Sequence, residues 1–480
     1  MTFTVIRIIS VILAIVGTTF LIPISFAAGL KEYSVIPSFL IPMAVSWILG
    51  FIFIIAGKNK KTYLSTRAGF VVVASGWFCA SLFGAIPFYA SGTIPSFVDA
   101  FFESVSGFTT TGATILSEIE TLPVSINLWR CQTHWLGGMG IVALTVALLP
   151  ILGVGGFQLI KAETTGPEKG KLTPKITTTA KALWFIYVGL TAIQVVLLKT
   201  AGMNWAEALS HSFATVGTGG FSTRNASIQS FNSPYIDAII TVFMFLAGIN
   251  FSLYYYLLTR KIDDIKSNTE LKVYVLIVSI AVISVTLIEA GYYGGFLSSF
   301  RYSSFQVLSI ISTTGFATWD FTTWEPAAQA IIFFLFFIGG CSGSTSGGIK
   351  IIRWTILGKQ LKNEILKMIH PHGIFTVRLN GKAGRKDVVF SVAAFFCIYL
   401  LMLAVTTFIT TLFGIDVFTS FTGALSMAGN IGPGFSLLGP SCNYGFLPSF
   451  VKIWYSIIMI AGRLEFFTIV ILFSSAFWKK

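Results

Sequence analysis

The chain has 480 residues, of which 54% are hydrophobic and only 11% are charged. This composition excludes an ordinary soluble protein and indicates a membrane protein that crosses the bilayer many times. The formal net charge of +13 would favour a nucleic-acid partner in a soluble protein. In a membrane protein the position of the charges reports orientation instead, so we assign no nucleic-acid partner.

Uncharged apolar runs follow one another along the whole chain. A helix needs roughly 20 apolar residues to span a bilayer, and ten runs reach or approach this length. They are centred on residues 8–30, 36–57, 68–90, 132–153, 180–201, 236–259, 273–296, 326–350, 388–413 and 451–477. The first run resembles a secretory signal peptide, but its apolar stretch is too long for one, and we interpret it as the first helix. The sequence therefore predicts an all-α polytopic membrane protein with about ten transmembrane helices.

Charged residues separate into two groups along these runs. Most of the 32 Lys and Arg residues fall on one side if both termini are cytoplasmic, as the positive-inside rule requires. The predicted outer side carries Asp99, Glu103, Glu118, Glu120, Glu207, Asp237, Glu289, Asp320, Glu325 and Asp416. Two interpretations stay open for these acids: an acidic mouth that concentrates cations, or a simple consequence of excluding bases from that side.

Four predicted outer segments share one pattern. They read "SGFTTTGATI", "ATVGTGGFST", "SIISTTGFAT" and "SMAGNIGPGF". Their aligned glycines, Gly112, Gly220, Gly315 and Gly432, recur about every 100 residues, which indicates tandem repeats. The predicted divisions are 1–66 for two extra N-terminal helices, then 67–160, 161–266, 267–372 and 373–480 for repeats one to four.

Each repeat is predicted to form a helix, a re-entrant segment too short to span the bilayer, and a second helix. Irregular backbone at membrane depth must be buried in protein or line a watery path. All four repeats have the same orientation, so they should surround one axis along the membrane normal, which argues against an inverted-repeat carrier. Glycine permits backbone conformations that turn carbonyl oxygens toward a dehydrated cation.

The Thr-x-Gly steps resemble the filter of potassium channels, and they define the candidate selectivity filter. Its residues are Thr110, Thr111, Gly112, Thr218, Gly219, Gly220, Thr313, Thr314, Gly315, Asn430, Ile431 and Gly432. Within this set, we predict K⁺ ligands at Thr110, Thr111, Thr218, Gly219, Thr313, Thr314, Asn430 and Ile431. The fourth step has Asn430 in place of threonine, so the ring is not chemically fourfold and should discriminate less sharply.

A Gly/Ser-rich segment, "GGCSGSTSGGIK", interrupts the run at 326–350. Its first ten residues, Gly339, Gly340, Cys341, Ser342, Gly343, Ser344, Thr345, Ser346, Gly347 and Gly348, are hereafter the gate segment. Such a segment cannot face lipid and is predicted to lie over the permeation path. A phosphate-binding loop is the alternative, but Ile349 intervenes before Lys350 and the flanks are membrane spans.

Arg463 stands inside the last apolar run. Because an arginine near the bilayer centre costs about 2.5–3.5 kcal/mol, we expect it to face the cavity below the filter and to bond to the gate segment. A structural pair with an acid on another helix is the alternative, and Glu465 points to a different helix face. We interpret Lys350, at the end of the gate segment, as an interfacial anchor. The four histidines receive no ligand role, and the five cysteines show no metal spacing.

These motifs, together with "HWLGGMGI" and "AGRLEF", identify the chain as similar to the Trk/Ktr/HKT superfamily of potassium transporters. The two extra N-terminal helices make it most like the membrane subunits of bacterial Trk systems. The resemblance implies potassium uptake across the cytoplasmic membrane, a gating role for the intramembrane segment, and K⁺ as substrate with no bound cofactor. It also implies a homodimer and a cytoplasmic ring of nucleotide-binding subunits that docks on basic loops at 161–181, 260–272 and 353–386.

Three classes of function stay open from the residues alone. The favoured class is a potassium channel or transporter, with or without a coupled proton or sodium ion. A membrane-embedded enzyme would need a cluster of Asp, Glu, His or Cys at one depth, and the spans contain almost none. A carrier for an organic solute is disfavoured by repeats of one orientation.

Overall fold

The computed structural model describes residues 2–58, 65–138, 176–383 and 386–479. Its helices are α1 (Thr2–Thr19), α2 (Leu21–Gly29), α3 (Ile36–Ala56), α4 (Thr66–Ala90), α5 (Phe97–Phe108), α6 (Val124–Gly138), α7 (Ile176–Thr200), α8 (Trp205–Val216), α9 (Pro234–Ala247), α10 (Phe251–Leu258), α11 (Ile262–Lys266), α12 (Thr269–Glu289), α13 (Phe296–Ile311), α14 (Pro326–Leu335), α15 (Ile351–Ile369), α16 (Lys386–Thr411), α17 (Val417–Gly429), α18 (Ser449–Arg463), α19 (Phe466–Phe473) and α20 (Ser475–Trp478). Short 3₁₀ turns lie at Ser227–Phe231, Phe321–Thr323 and Ser436–Leu438.

One small β-hairpin accompanies the helices, and the sequence did not predict it. Strands β1 (Arg378–Leu379) and β2 (Lys382–Ala383) pair antiparallel, with Arg378 opposite Ala383. The turn contains Asn380 and Gly381, both with positive φ, which is the turn chemistry that two-residue hairpins prefer. The prediction of an all-α membrane fold is otherwise confirmed.

Long apolar helices account for six of the ten predicted crossings. They are Phe3–Gly29, Ile36–Ala56, Arg67–Ala90, Thr178–Thr200, Thr269–Glu289 and Asp387–Thr411. Their outward faces are apolar, as in α3, where Ile41, Phe51 and Ile55 are more than half exposed. Apolar side chains in that position suit contact with lipid rather than with water.

Three of the remaining predicted crossings are not straight helices. The run at 236–259 is a pair, α9 and α10, bent by 92°, and the run at 451–477 is a pair, α18 and α19, bent by 112°. The run at 326–350 forms only the short helix α14 before the gate segment. The run at 132–153 is helical to Gly138, and its remainder lies outside the described residues, as do most of the basic loop at 161–181 and the boundary between repeats one and two.

Four shorter helices, α5, α8, α13 and α17, precede the four aligned glycines, and we call them the pore helices. Three begin at a side-chain N-cap: Ser96 accepts from Asp99 N, Asn204 forms a capping box with Glu207, and Asp416 accepts from Thr419 N. Such caps satisfy backbone donors that a helix start leaves unpaired. Most of their residues are buried, because the long helices surround them.

The N-terminal helices α1, α2 and α3 pack against each other and against the helices that follow. α1 lies along α3 and α4, and α2 lies against α6. Glu32, in the connection after α2, accepts hydrogen bonds from Val124 N (2.8 Å) and Ser125 N (3.0 Å) at the start of α6. The segment that resembled a signal peptide is therefore part of the folded structure.

Candidate functional site

The four segments after the pore helices have one backbone conformation. We call residues 110–112, 218–220, 313–315 and 430–432 the filter loops. Their first residues have φ of 56° (Thr110), 55° (Thr218), 56° (Thr313) and 52° (Asn430), and their aligned glycines have φ of 80°, 81°, 80° and 100° in chain order. Few non-glycine residues adopt positive φ, so four such residues at equivalent positions are strong evidence of a repeated structure.

Backbone hydrogen bonds fix each filter loop to its own pore helix. The N–H of the middle residue turns back to the helix: Thr111 N to Ser106 O (2.9 Å), Gly219 N to Ala214 O (2.8 Å), Thr314 N to Ser309 O (2.8 Å) and Ile431 N to Ser426 O (3.0 Å). This is the pattern of a helix C-terminus closed by a left-handed residue. The N–H groups of the first and middle residues of each loop are thus engaged on the helix side.

The loops also form a closed ring. A Cβ built on Gly112 would lie 2.0 Å from Gly219 O, on Gly220 2.0 Å from Thr314 O, on Gly315 2.2 Å from Ile431 O, and on Gly432 2.5 Å from Thr111 O. Each aligned glycine therefore faces the middle carbonyl of the next repeat, and the fourth faces the first. Only glycine permits both this close approach and the positive φ.

A cavity of about 130 Å³ lies on the outer side of this ring, and all four aligned glycines line it. Arg130 and Arg224 also line it. Four of the ten predicted outer acids pair with basic side chains, which favours a structural role for these four over an acidic mouth. Glu103 pairs with Arg130 (2.7 Å), Glu207 with Arg224 (2.5 Å), Asp237 with Arg301 (2.6 Å) and Asp99 with Lys452 (2.7 Å). These carboxylates hold the scaffold around the pathway together.

Arg130 and His134 are site residues that sequence reasoning missed. Arg130 is fully buried in α6 and also donates to Ser222 O (3.2 Å), so it joins the surroundings of filter loops one and two. His134 contacts Gly107 O through Nδ1 (2.8 Å) and accepts from Phe221 N at Nε2 (3.1 Å). The signal was the presence of His134 inside the predicted crossing at 132–153 and of Arg130 just before it, where a buried polar group needs a partner.

Asn430 replaces threonine in the fourth filter loop and joins three elements. Its Nδ2 donates to Thr111 Oγ1 (3.0 Å) and to Met459 O (3.0 Å). The side chain is fully buried. The ring is therefore asymmetric at its inner edge, as the sequence predicts.

The gate segment lies directly below the filter. Gly347 N donates to Thr313 Oγ1 (2.6 Å), and Thr345 Oγ1 donates to Val216 O (3.0 Å) at the end of α8. A Cβ on Gly347 would lie 2.4 Å from Gly429 O, the last residue of α17. The segment thus contacts the inner ends of repeats two, three and four.

Arg463 connects the gate segment to repeat one. Its guanidinium donates to Thr110 Oγ1 (3.1 Å), Thr345 O (2.7 Å), Gly137 O (2.7 Å) and Gly138 O (2.8 Å). The hydrogen bond to the gate segment is present as expected. Four oxygen acceptors around one planar cation suit the donor geometry of this half-buried arginine.

Lys350 differs from expectation, and Glu465 has a partner that the sequence did not predict. Lys350 is not an interfacial anchor: only 2% of it is exposed, and its Nζ donates to Ser346 O within the gate segment. Glu465 pairs with Arg353 of α15 (2.6 Å). Because the helix breaks after Arg463, the rule for helix faces did not apply to Glu465.

The phosphate-loop interpretation does not fit the geometry. The segment follows the short helix α14 rather than a strand. Its backbone donors already have protein acceptors: Cys341 N bonds to Gly248 O (2.8 Å) and Gly347 N to Thr313 Oγ1 (2.6 Å). A phosphate would need such N–H groups to be free.

Metal or disulfide chemistry finds no support in the part of the chain that the structure describes. No group of three or more His, Cys, Asp or Glu side chains there is placed to hold a metal ion. Cys79, Cys131, Cys341, Cys397 and Cys442 are free thiols. The histidines at 134 and 211 are buried and hydrogen-bonded to protein groups.

Comparisons with known proteins show the family and the fold of the chain. The family model described as "TrkH: Cation transport protein" matches residues 36–480. The Trk system potassium uptake protein TrkH of Halomonas elongata is 38% identical, over 99% of both chains. The protein of the same name from Escherichia coli K12 is 38% identical, over 88% of both. The crystal structure of the potassium transporter TrkH from Vibrio parahaemolyticus superposes with a TM-score of 0.87 at 33% identity and covers 100% of both chains. The chain belongs to the TrkH family of cation transport proteins.

Proposed function

We propose that this chain takes up potassium ions through the ring of filter loops. The observation that carries the proposal is the closed ring, in which four loops of one conformation present their middle carbonyls to the glycines of their neighbours. A ring of carbonyl dipoles replaces the water around a dehydrated cation without adding a fixed charge. The potassium uptake proteins named among the relatives support the choice of ion.

The ion sites are formed by the first and middle residues of the loops. These are Thr110, Thr111, Thr218, Gly219, Thr313, Thr314, Asn430 and Ile431. The glycines at 112, 220, 315 and 432 set the spacing between adjacent loops, since each faces a carbonyl of the next repeat. Rb⁺ should follow the same route as K⁺ because both ions lose their water to carbonyl oxygens.

The gate segment, with Lys350 and Arg463, closes the pathway below the filter. Its contacts with the inner ends of the pore helices support this role. The Arg463 guanidinium adds a positive charge beneath the filter, where a low dielectric strengthens its repulsion of a permeating cation. Opening requires this segment to move, and its many glycines lower the conformational barrier to movement.

The ion moves down its electrochemical gradient in this scheme, and a coupled proton or sodium ion is the alternative. The chain lies in the bacterial cytoplasmic membrane with both termini inside, four repeats divided at 67–160, 161–266, 267–372 and 373–480, and two helices at 1–66. It acts as a homodimer with a pore in each protomer. A cytoplasmic ring of nucleotide-binding subunits docks on its basic inner loops.

The test is Rb⁺ uptake into proteoliposomes that contain the purified chain, with K⁺, Na⁺ and Li⁺ as competitors. The decisive variant is Gly315→Ser, whose Cβ would lie 2.2 Å from Ile431 O. The matched control is Gly414→Ser, because Gly414 also has positive φ (83°) but has no neighbouring atom within 4 Å of the added Cβ. Imposed pH and Na⁺ gradients in the same vesicles test for coupling.

Potassium should block uptake far more strongly than sodium. Gly315→Ser should remove most of this preference, and Gly414→Ser should keep it. Equal competition by sodium in the unmodified chain, or equal effects of the two serines, would show that the ring does not select the ion.

A further inference from the structure

Glu270 lies beside the gate segment but belongs to no motif in the sequence. It stands in the first turn of α12, after the N-cap Asn268, and only 6% of it is exposed. Its Oε1 accepts hydrogen bonds from two backbone donors, Ser342 N (2.7 Å) and Ile352 N (3.1 Å). One carboxylate oxygen thus joins the entry of the gate segment to the start of α15.

The two ends of the gate segment are also paired directly. Gly339 N donates to Ile349 O (2.9 Å), and Ile351 N donates to Gly340 O (3.2 Å). We call these paired residues, 339–340 and 349–351, the neck. Glu270 joins the residues that lie just beyond the neck on each side, Ser342 and Ile352. Hydrogen bonds to a charged acceptor are stronger than those between neutral groups, so we expect the Glu270 contacts to be stronger than the backbone bonds that pair the two ends of the gate segment.

The position of Glu270 depends on the β-hairpin. Asn380 in the hairpin turn donates from its N–H to Thr269 Oγ1 (3.2 Å), and its Oδ1 accepts from Thr269 N (2.9 Å). Thr269 directly precedes Glu270. This reciprocal pair fixes the first turn of α12 to the hairpin.

The hairpin is fixed to the other side of the gate as well. Lys359 Nζ of α15 donates to Arg378 O (2.6 Å). A separate apolar cluster joins α15, the hairpin and α16; it consists of Ile352, Ile356, Val377, Leu379 and Val392. A displacement of the hairpin therefore acts on both elements that Glu270 connects.

We propose that Glu270 is a positioning residue that latches the gate segment in its closed place, and that the hairpin at 378–383 is the part through which the cytoplasmic side releases this latch. The proposal rests on the gating role given above. Moving the hairpin pulls Thr269 and turns Glu270 away from the neck. The gate segment then loses its bridge between Ser342 and Ile352 and leaves the filter.

The experiment compares Glu270→Gln and Glu270→Ala with the unmodified chain in two measurements. The first is Rb⁺ uptake into proteoliposomes. The second is the rate at which N-ethylmaleimide labels Cys341, followed by mass spectrometry of the peptide. Cys341 is a native reporter of gate position, because it is 1% exposed and its N–H donates to Gly248 O.

The matched control is Glu289→Gln. Glu289 lies at the opposite end of the same helix, is fully buried, and accepts one backbone hydrogen bond from Glu325 N (2.9 Å). Asn380→Ala is the second test variant, since it removes the hairpin contact and leaves Glu270 in place. Monodispersity in detergent checks the folding of each variant.

Labelling of Cys341 should rise about tenfold or more in Glu270→Ala, less in Glu270→Gln, which keeps one acceptor oxygen, and several-fold in Asn380→Ala. Uptake should rise in the same order. Unchanged labelling in the Glu270 variants, or an equal rise in Glu289→Gln, overturns the latch. If labelling of Cys341 is faster in the Glu270 variants but no protein takes up Rb⁺, the unmodified chain included, then the latch is supported and the proposed function is wrong. If Glu270→Ala does not fold, Glu270→Gln and Asn380→Ala decide.

Discussion

The filter loops and the gate segment are both irregular and rich in glycine, yet they are held in opposite ways. Each filter loop bonds back to its own pore helix, as Thr314 N does to Ser309 O. The gate segment is held largely by groups from other elements, such as Thr313 Oγ1, the Arg463 guanidinium and the Glu270 carboxylate. A segment held by its own helix keeps its shape when neighbours move, whereas one held from outside is released when they do.

Both regions contain glycines in close backbone contact and glycines with positive φ, but the two properties serve different purposes. In the filter loops glycine allows close approach, because any Cβ would strike a carbonyl of the next repeat. In the gate segment Gly343 and Gly348 have positive φ values of 74° and 66°, which lets the chain turn sharply between its two ends. In the proposed function the filter loops conduct the ion and the gate segment blocks it. Substitutions that disturb the filter loops should therefore lower ion flux, and substitutions that release the gate segment should raise it.

The largest effect is expected for Gly220→Ala, which tests the rigidity of the ring. The new Cβ would lie 2.0 Å from Thr314 O, so the neighbouring loop must move. We expect loss of most potassium-selective Rb⁺ uptake. The control is Gly202→Ala, where φ is also positive (106°) but nothing lies within 4 Å of the new Cβ. Equal loss in both variants would mean that backbone strain, and not ring contact, is responsible.

The next largest effect is expected for Arg463→Gln, and here flux should increase. The substitution removes a positive charge and several hydrogen bonds below the filter. Rb⁺ uptake should rise by about tenfold or more, because a unit charge at close range contributes several kcal/mol in a protein interior. Arg463→Lys keeps the charge but not the planar donor geometry. A lysine variant with flux like that of glutamine would assign the effect to the hydrogen bonds rather than to the charge.

A smaller effect should distinguish two equivalent threonines. Thr313→Val removes the acceptor of Gly347 N, whereas the Thr218 hydroxyl donates to Gly217 O next to it in the chain. A buried N–H without an acceptor costs about 1–3 kcal/mol, which destabilises the closed gate. Thr313→Val should therefore increase Rb⁺ uptake several-fold, and Thr218→Val should not. An increase in both would place the effect in the filter itself.

The smallest effect concerns the start of the fourth pore helix. Hydrogen bonds from Thr419 lower the pKa of the Asp416 carboxyl. A lowered pKa means that the ionised cap stabilises the fold above the unfolded-state pKa and that this contribution is lost as pH falls through the lower, folded-state value. Asp416→Ala should cost about 1 kcal/mol at pH 7 and less near pH 3, measured as the apparent Tm in detergent.

Asp416→Asn supplies the control for that pH dependence. Asparagine also caps helices well, so this variant should stay close to the unmodified chain at pH 7 and show no loss from titration at this site in acid. A pH dependence in Asp416→Asn equal to that of the unmodified chain would assign the acid sensitivity to other groups.

The filter was predictable from sequence because its physical requirement falls on residue types. The left-handed residue and the closely packed glycine two positions later give three Thr-x-Gly steps and one Asn-x-Gly step at equivalent positions of the repeats. The gate segment was predictable for a similar reason, since Gly and Ser inside an apolar run must be buried in protein.

The bends and the supporting side chains were not predictable in the same way. Apolar composition continues across the 92° bend between α9 and α10 and the 112° bend between α18 and α19. A hydropathy profile therefore predicts one helix for each pair. Glu103, Arg130 and Glu270 find their partners on other elements, and a single sequence does not report which distant groups meet. Lys350 looked like a residue at a helix end because its acceptor, Ser346 O, depends on how the gate segment folds.

The closed ring is made by one chain rather than by four identical subunits. In a symmetric tetramer one mutation changes every side of the pore, and any blocking element appears four times. Here a single codon alters one quarter of the ring, and one gate segment, together with Arg463, contacts the inner ends of all four repeats. One loop of the ring can therefore differ from the other three, as the loop with Asn430 does, without the same change in its neighbours.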